Sequence, residues 1–280
     1  MQYQIGWAGP GDIPALKALW RVCFGDPPAY IDGYFRAVFP RARAVVARCG
    51  GAPVGVIHLL PAMLRQGSTA SPAYYGYAIG VLPAHRQNNL CARMHRFLYE
   101  HCDATGRGYL LHPANQRLAS YYARIGLAQP CAIRRAALEL AAPPLDFTCE
   151  PLTPACFAVL RSAWLQANVP AHIAYDEATL AYILAENAGN GGFAYRIILD
   201  GKDYALLGRC QGGTLALLET TLPGELLSPV AARLAHDRHA ARAYALCPAG
   251  SALPGEDIAW WGLGYGPGTP KNVYLNLVMD

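Results

Sequence analysis

Residues 83–91 (PAHRQNNLC) have the composition of a turn that leads into a helix. The backbone amides of such a turn, together with the positive end of the following helix dipole, point at one spot and attract anions. Arg86 adds a cationic side chain to this segment. The residues therefore predict a diphosphate-binding turn, and a plain structural turn is the alternative.

A pair of tyrosines, Tyr121 and Tyr122, comes near the end of a short helical segment further along the chain. A phenol can donate a proton to a developing thiolate at neutral pH, so Tyr122 is a candidate general acid. The alternative is a core aromatic residue whose hydroxyl is hydrogen-bonded inside the fold. The turn at residues 83–91 and Tyr122 would together supply an anion-binding site and a proton donor.

Strands and helices that alternate along the chain must position these residues. Around them the pattern predicts a strand, a helix ended by Gly106, a short strand and a short helix ended by Gly126. These elements are residues 74–82, 90–104, 109–112 and 116–125. Upstream, the pattern predicts a strand, two helices and a hairpin with a Gly-Gly turn, at residues 2–7, 12–24, 30–39, 44–49 and 54–64.

The Pro-rich sequence at residues 141–144 is the predicted domain boundary. Beyond it we predict two helices, a three-strand meander, a third helix and two strands, at residues 154–166, 176–186, 193–221, 226–240, 243–246 and 272–278. A Gly- and Pro-rich run at residues 248–270 is predicted to be a surface loop. The order of elements repeats that of the first half, which indicates an internal structural repeat. The predicted fold class is α/β (α+β), with domains at residues 1–142 and 145–280.

Residues 74–127 resemble the acyl-CoA-binding half of the GCN5-related N-acetyltransferase (GNAT) family. The turn lies where the family has a Gln/Arg-x-x-Gly-x-Gly/Ala segment, and Asn115, the tyrosine pair and Gly126-Leu127 are similar to its closing signature. Residues 19–26 (LWRVCFGD) look like the first-helix signature of bacterial members. The resemblance covers most of residues 1–140.

The tandem layout is similar to that of the enhanced-intracellular-survival-type acetyltransferases, without their sterol-carrier-like third domain. The resemblance implies two GNAT-like mixed-sheet domains. Residues 222–225 (LPGE) lack an Arg- and Gly-rich phosphate turn, so we predict that the second domain is degenerate.

The resemblance implies acetyl-CoA as a co-substrate and Tyr122 as the acid that protonates its thiolate. The implied cofactor-binding residues are Ile79, Gly80 and Val81 for pantetheine and thioester, Arg86, Gln87, Asn88, Asn89, Leu90, Cys91 and Ala92 for the diphosphate, and Asn115. Asn89 replaces the family's central glycine and Cys91 its second small residue. Asn best tolerates a left-handed backbone after Gly, so we expect the turn to keep its shape.

The general base is left open, because the strand at residues 74–82 carries no Asp or Glu. His58 and His112 are candidates, each with a structural role as the alternative. In the enhanced-survival type the terminal carboxylate reaches the active site, which implies Asp280 as a catalytic residue here. Glu219 could face a substrate groove, although a polar surface position is the plainer interpretation.

Composition argues against several other classes of protein. With 53% hydrophobic and 15% charged residues the chain has material for packed cores, and its net charge of +4 includes no basic run for nucleic acid. No apolar stretch is long enough to cross a bilayer, and the first residues do not resemble a secretion signal. The nine cysteines lack metal-ligand spacing. We therefore expect a cytoplasmic protein with free thiols, no metal and no membrane partner.

These features together predict an acyltransferase. It would move an acetyl group from acetyl-CoA to a primary amine of a small-molecule or peptide acceptor by direct attack. The alternative is a non-catalytic acyl-CoA-binding or regulatory protein, which the residues at Asn89 and Cys91 and the missing strand carboxylate favour. No motif identifies the acceptor or the oligomeric state.

Overall fold

The computed structural model describes residues 2–143, 145–266 and 269–277, so Asp280 lies outside the described residues. The chain divides into two compact units. Unit 1 comprises Met1–Leu64, Thr69–Gln129 and Gly262–Pro270, and unit 2 comprises Arg65–Ser68, Pro130–Trp261 and Lys271–Asp280. Each contains helices and a mixed sheet, which confirms the predicted fold class.

Unit 1 is built on a mixed sheet in which the first five strands lie in the order of the sequence. Its elements are β1 (Tyr3–Trp7), α1 (Ile13–Phe24), α2 (Pro28–Ala37), β2 (Arg43–Cys49), β3 (Ala52–Gln66), β4 (Thr69–Val81), α3 (Leu90–Thr105), β5 (Gly108–Leu111) and α4 (Gln116–Arg124). The strands β1 to β3 pair antiparallel, whereas β4 and β5 pair parallel. Helix α3 buries Leu90, Met94 and Leu98 and ends at a left-handed Gly106, as its spacing predicts.

Unit 2 repeats this plan with a sheet in the order β6-β12-β11-β10-β9-β7. Its elements are β6 (Gln129–Leu138), β7 (Thr148–Pro151), α5 (Pro154–Asn168), β8 (Ala171–Ala174), α6 (Glu177–Gly189), β9 (Phe193–Leu199), β10 (Lys202–Gln211), β11 (Thr214–Thr220), α7 (Gly224–Asp237), β12 (Arg242–Pro248) and β13 (Gly255–Tyr265). Thr153 and Asp176 cap α5 and α6 by accepting backbone N–H bonds. Leu227, Val230 and Leu234 of α7 belong to the apolar core.

The division between the units differs from the boundary expected at residues 142–145. Strand β6 pairs antiparallel with β12, with Ala136 opposite Ala245, and so belongs to the sheet of unit 2. Gly262–Pro270 returns to unit 1 because the end of β13 pairs with β5, with Leu263 opposite Leu111. Strand pairing between distant parts of the sequence sets the division, and the Pro-rich segment does not.

Two predictions about the C-terminal region were wrong. The run at residues 248–270, expected to be a loop, contains strand β13, whose apolar pattern is interrupted by Gly262 and Gly264. Gly264 is needed there, because an added Cβ would lie 2.9 Å from the Thr269 methyl group. Residues 272–278 were expected to form a strand, but their described part has only an isolated bridge between His172 and Tyr274.

Candidate active site

The predicted diphosphate turn is a 3₁₀ helix, Pro83–Asn88, followed by Asn89. Asn89 has φ 52° and ψ 27°, so it adopts the left-handed conformation expected of an asparagine at this position. It directly precedes α3. Gln87, Asn88 and Asn89 are exposed, so the turn faces solvent.

The start of α3 leaves backbone N–H groups available to a ligand. The first intrahelical bond runs from the Arg93 amide to the Asn89 carbonyl at 3.0 Å, and no side chain among the described residues caps this end. Ala92 is an exception, because its N–H is directed at the Tyr121 hydroxyl. The N–H groups of Leu90 and Cys91 therefore lie, without an intrahelical partner, at the positive end of the helix dipole.

Two side chains of the turn are bonded to the backbone beside it. Arg86 donates from Nε to the Val81 carbonyl at 3.0 Å, and Asn88 donates from Nδ2 to the His85 carbonyl at 3.1 Å. Arg86 also approaches the Cys23 thiol, whose pKa burial raises and the guanidinium only partly lowers. Arg86 is thus held at the end of β4, where its charge adds to the positive field of the turn.

Strands β4 and β5 separate at the point where the thioester-binding residues were predicted. They pair from Ala73 with Gly108 to Gly76 with Leu111, and there β5 ends while β4 continues to Val81. The β5-facing edge of residues 77–81 therefore has no strand partner among the described residues, and Ala78 bends it with φ 44°. Such an edge can pair with an extended ligand, and Ile79, Gly80 and Val81 lie on it.

Tyr122 is 7% exposed and lies on the buried side of α4, with its ring centroid 5.5 Å from that of His95. Burial raises its pKa far above the usual value, and the Cys91 thiol adds to the shift, so the phenol keeps its proton at neutral pH. No described residue makes a hydrogen bond with its hydroxyl. This differs from the alternative of an internally bonded core tyrosine, and the role of Tyr122 as an acid stays a prediction.

His95 links the turn to the strand opening, a connection that sequence reasoning missed. Its Nδ1 donates to the Cys91 carbonyl at 2.8 Å, which leaves Nε2 to accept from the Tyr109 hydroxyl at 3.2 Å. Burial lowers its pKa to about 4, so the ring is neutral. The only signal in the sequence was a histidine four residues after Cys91 on the apolar side of α3.

Cys91 and Asn115 have structural roles that the resemblance did not imply. Burial raises the pKa of Cys91 to about 11, and its thiol lies 3.6 Å from His95 Nδ1 and interacts with the Tyr121 hydroxyl, so it packs as a neutral group. Asn115 is the N-cap of α4, since its Oδ1 accepts from the Leu118 amide at 3.0 Å. Neither contact contributes a charge to a cofactor site.

The structure narrows the candidates for the general base. His58 is 1% exposed and enclosed by aromatic rings of α1 and α2, and burial lowers its pKa to about 3. No described residue bonds to either ring nitrogen, so this is a core position. Glu219 is fully buried beside Arg161 and Tyr274, which corrects the expectation of a surface position. His112 is half-buried after β5, and Asp280 lies outside the described residues.

Comparison with known families identifies the part of the chain that carries these residues. Residues 6–129 match the family model of the acetyltransferase (GNAT) domain. The chain contains a GNAT acetyltransferase domain. This match supports an acyltransferase, and the resemblance predicted for the first half is confirmed over residues 6–129.

Solved structures share the fold of this chain over both units. A probable N-acyltransferase from Enterococcus faecalis V583 superposes with a TM-score of 0.75 at 12% identity, covering 95% of this chain and 73% of that one. Eis1 from Mycobacterium abscessus gives 0.63 at 15% identity over 87% and 65%. A tandem GNAT protein from the clavulanic acid biosynthesis pathway gives 0.53 at 13% over 96% and 100%. At these identities the likeness concerns the fold.

No curated protein matches the sequence significantly. None of the helices in the described ranges is long and apolar enough to cross a membrane. The same ranges hold no group of three or more His, Cys, Asp or Glu side chains placed to bind a metal ion.

Proposed function

We propose that this GNAT protein is an N-acetyltransferase that takes the acetyl group of acetyl-CoA and transfers it to a primary amine by direct attack. One observation carries the proposal. The exposed turn at Asn89 ends in the N–H groups of Leu90 and Cys91, and the strand that leads into it has an edge that no described strand pairs with. An anion site next to an edge that accepts an extended chain suits an acyl-CoA.

The residues present fit this co-substrate. The N–H groups of Leu90 and Cys91 and the charge of Arg86 would hold the diphosphate, with Gln87, Asn88, Asn89 and Ala92 shaping the turn. Ile79, Gly80 and Val81 would pair with the pantetheine arm. When bound, acetyl-CoA supplies an acyl group that is already activated as a thioester. Asn115 is proposed to shape the same end of the site through the cap that it provides to α4.

In this proposal Tyr122 donates a proton to the thiolate of CoA, which is the leaving group. Its hydroxyl keeps its proton at neutral pH and is not hydrogen-bonded to any described residue, so the proton is held at Oη for donation. The described part of β4 has no carboxylate to accept the proton of the amine. Asp280 is our proposed acceptor, on the resemblance to the enhanced-survival type.

The acceptor is proposed to be a small molecule or peptide that carries a primary amine. Polyamines, aminoglycosides and lysine peptides all have this group. The mild net charge of +4, spread along the chain, supports neither a nucleic-acid nor a membrane partner. We propose a cytoplasmic location on the same composition.

A non-catalytic acyl-CoA-binding protein is the second candidate. The Ala92 amide supports it, because this N–H faces the Tyr121 hydroxyl and is not available to a phosphate. With fewer available N–H groups the turn would bind the diphosphate more weakly than a helix N-terminus whose N–H groups are all free. In this candidate function, acyl-CoA binding would act as a signal and no acyl group would be transferred.

Calorimetry with acetyl-CoA, followed by free-thiol release with a panel of amines, tests the proposal. Desulfo-CoA is the control, since it can fill the site without releasing a thiol. We expect binding of both compounds and amine-dependent thiol release with acetyl-CoA only. Binding without release in the presence of any amine would support the second candidate. Absence of acetyl-CoA binding would contradict both.

A further inference from the structure

Strands β11 and β12 of unit 2 repeat the arrangement of β4 and β5. They pair parallel from Thr214 with Arg242 to Leu217 with Ala245, the same four-residue extent as the pair in unit 1. Beyond this pair, β11 continues to Thr220 and β12 to Pro248. Unit 2 therefore has its own strand opening in front of a helix, here α7.

A cavity of about 360 Å³ lies at this opening. Its size falls within the range of small-molecule sites, roughly 300–1,000 Å³. The wall is mostly apolar and includes Trp164, Thr220, Leu222, Leu227, Leu246 and Cys247. A mostly apolar wall with a few polar groups is the usual composition of a ligand pocket.

The cavity is unsuited to a phosphate. Residues 221–223 connect β11 to α7, whereas the longer segment 82–89 separates β4 from α3 and forms the exposed turn. Pro223 stands at the N-cap of α7 and has no N–H to donate. Glu225 occupies the first turn and also lines the cavity, so its negative charge opposes an anion.

Apart from Glu225, the polar side chains of the wall are neutral, and one of them is unsatisfied within the described residues. The Ser251 Oγ is buried and has no hydrogen-bond partner among the described residues. The Thr220 hydroxyl accepts from the Leu222 amide at 3.1 Å, which leaves its own proton to donate. Burial raises the pKa of Cys247 to about 12, so the thiol is uncharged. Such groups recognise an uncharged hydrogen-bond acceptor.

We propose that unit 2 binds in this cavity an uncharged small molecule with an apolar body and a carbonyl head that accepts hydrogen bonds from Ser251 and Thr220. The apolar wall would bury the body, and an occupant would supply the partner that Ser251 Oγ lacks. The site is separate from the acetyl-CoA site proposed in unit 1 and does not depend on it.

Calorimetry on the full chain with two probes of equal chain length tests the class of ligand. Octanamide has an uncharged carbonyl head, and octanoate carries a negative charge. We expect octanamide to bind at least tenfold more tightly than octanoate. Absence of octanamide binding, or equal binding of the two probes, would overturn the inference.

Substitutions then test the location. A Cβ added at Gly224 would lie 3.6 Å from the Leu253 side chain, and the backbone there is not left-handed, so Gly224→Leu fills the cavity mouth without backbone strain. We expect it to weaken octanamide binding at least tenfold. Gly189→Leu is the matched control, since a Cβ there meets nothing within 4 Å, and it should bind octanamide like the wild type.

Ser251→Ala keeps the test decisive should Gly224→Leu fail to fold, which a thermal unfolding scan would show. Removal of the hydroxyl should weaken octanamide binding about three- to tenfold, because it takes away one hydrogen bond to the carbonyl head. Ser251→Ala that binds octanamide as tightly as the wild type would overturn the inference, whether or not Gly224→Leu folds.

Discussion

The hydroxyl of Tyr109 lies 2.5 Å from the position that a Cβ atom on Gly76 would occupy. Gly76 stands at the last parallel pair of β4 and β5, opposite Leu111. The same hydroxyl bonds to His95, which in turn donates to the Cys91 carbonyl. The absence of a side chain at Gly76 thus makes room for the contact that connects the strand opening to the turn.

Gly76→Ala should therefore destabilise the protein. The added methyl group would overlap the ring of Tyr109, which is fully buried and cannot move away freely. We expect the free energy of unfolding, measured in urea, to fall by about 1–3 kcal/mol. Gly33→Ala is the control, because a Cβ there meets nothing within 4 Å on helix α2, and it should gain about 0.5–1 kcal/mol. Equal stability of Gly76→Ala and the wild type would contradict the packing described.

Tyr122→Phe should reduce turnover and leave cofactor affinity intact. It removes the proposed proton donor and keeps the buried ring, so we expect kcat to fall by roughly 10²-fold. The dissociation constant of acetyl-CoA should stay unchanged in calorimetry. Tyr121→Phe is the matched control, since it removes a hydroxyl that faces Cys91 and Ala92 and should change acetyl-CoA affinity more than kcat. Equal losses in kcat and affinity for Tyr122→Phe would mean that its role is misassigned.

Asn89→Val should weaken acetyl-CoA binding and stability together. A β-branched residue is strained at φ 52°, and we expect a cost of about 1–2 kcal/mol in the free energy of unfolding. The turn would shift, and with it the N–H groups of Leu90 and Cys91. Asn89→Gly keeps the left-handed backbone available and should bind acetyl-CoA like the wild type in calorimetry. Tight binding by Asn89→Val would show that the turn does not hold the diphosphate.

Stability should fall as the pH drops below about 6.5. The pKa values of the buried His58 and His95 are lowered to about 3 and about 4, so protons bind the unfolded chain in preference to the folded one in this range. Between pH 6 and 5 each histidine contributes a loss of about 1.2 kcal/mol. The loss attributable to His95 ends near pH 4.

Urea denaturation of His58→Leu at several pH values checks this account. The variant should lose about half of the slope that the two histidines contribute, and it should fold with near wild-type stability at pH 7, since neither nitrogen of His58 has a described partner to lose. An unchanged slope, or a large loss of stability at pH 7, would contradict the burial and pairing described. Retained transferase activity would also exclude His58 as the base.

Arg161→Met should be severely destabilising. Its Nε lies 3.5 Å from Oε2 of the fully buried Glu219, and removal of the guanidinium would leave a buried carboxylate without its countercharge. We expect a loss of about 3–5 kcal/mol in the free energy of unfolding. The double variant with Glu219→Gln removes both charges and should recover most of it. A double variant no more stable than Arg161→Met would show that the ion pair is not the cause.

The sequence alone predicted the elements whose local hydrophobic pattern matches the face that they bury in the fold. Helix α3 could be predicted because Leu90, Met94 and Leu98 recur on one side and Gly106 ends it. Strand β13 could not be predicted, since Gly262 and Gly264 break its apolar alternation and its pairing partners lie far away in the sequence.

The chemistry of single side chains was the least predictable part. Glu219 is an acidic residue in an apolar strand, and its burial is made tolerable by Arg161 and by the Tyr274 hydroxyl, both distant from it in sequence. In the same way, nothing near Cys91 in sequence indicated that its thiol would meet Tyr121 of helix α4. Such contacts depend on how the helices pack, which periodicity does not specify.

Gly262–Pro270 belongs to unit 1, and this limits how the chain can be divided into fragments that fold. Tyr265 stacks on Tyr99 at a centroid distance of 3.8 Å and donates a hydrogen bond to Asp103 at 2.9 Å. A fragment cut at the Pro-rich segment would lose this contribution and leave β5 as a bare sheet edge, the kind of surface on which chains self-associate. Complementation with a peptide that spans residues 255–270 is the rational way to recover an isolated N-terminal half.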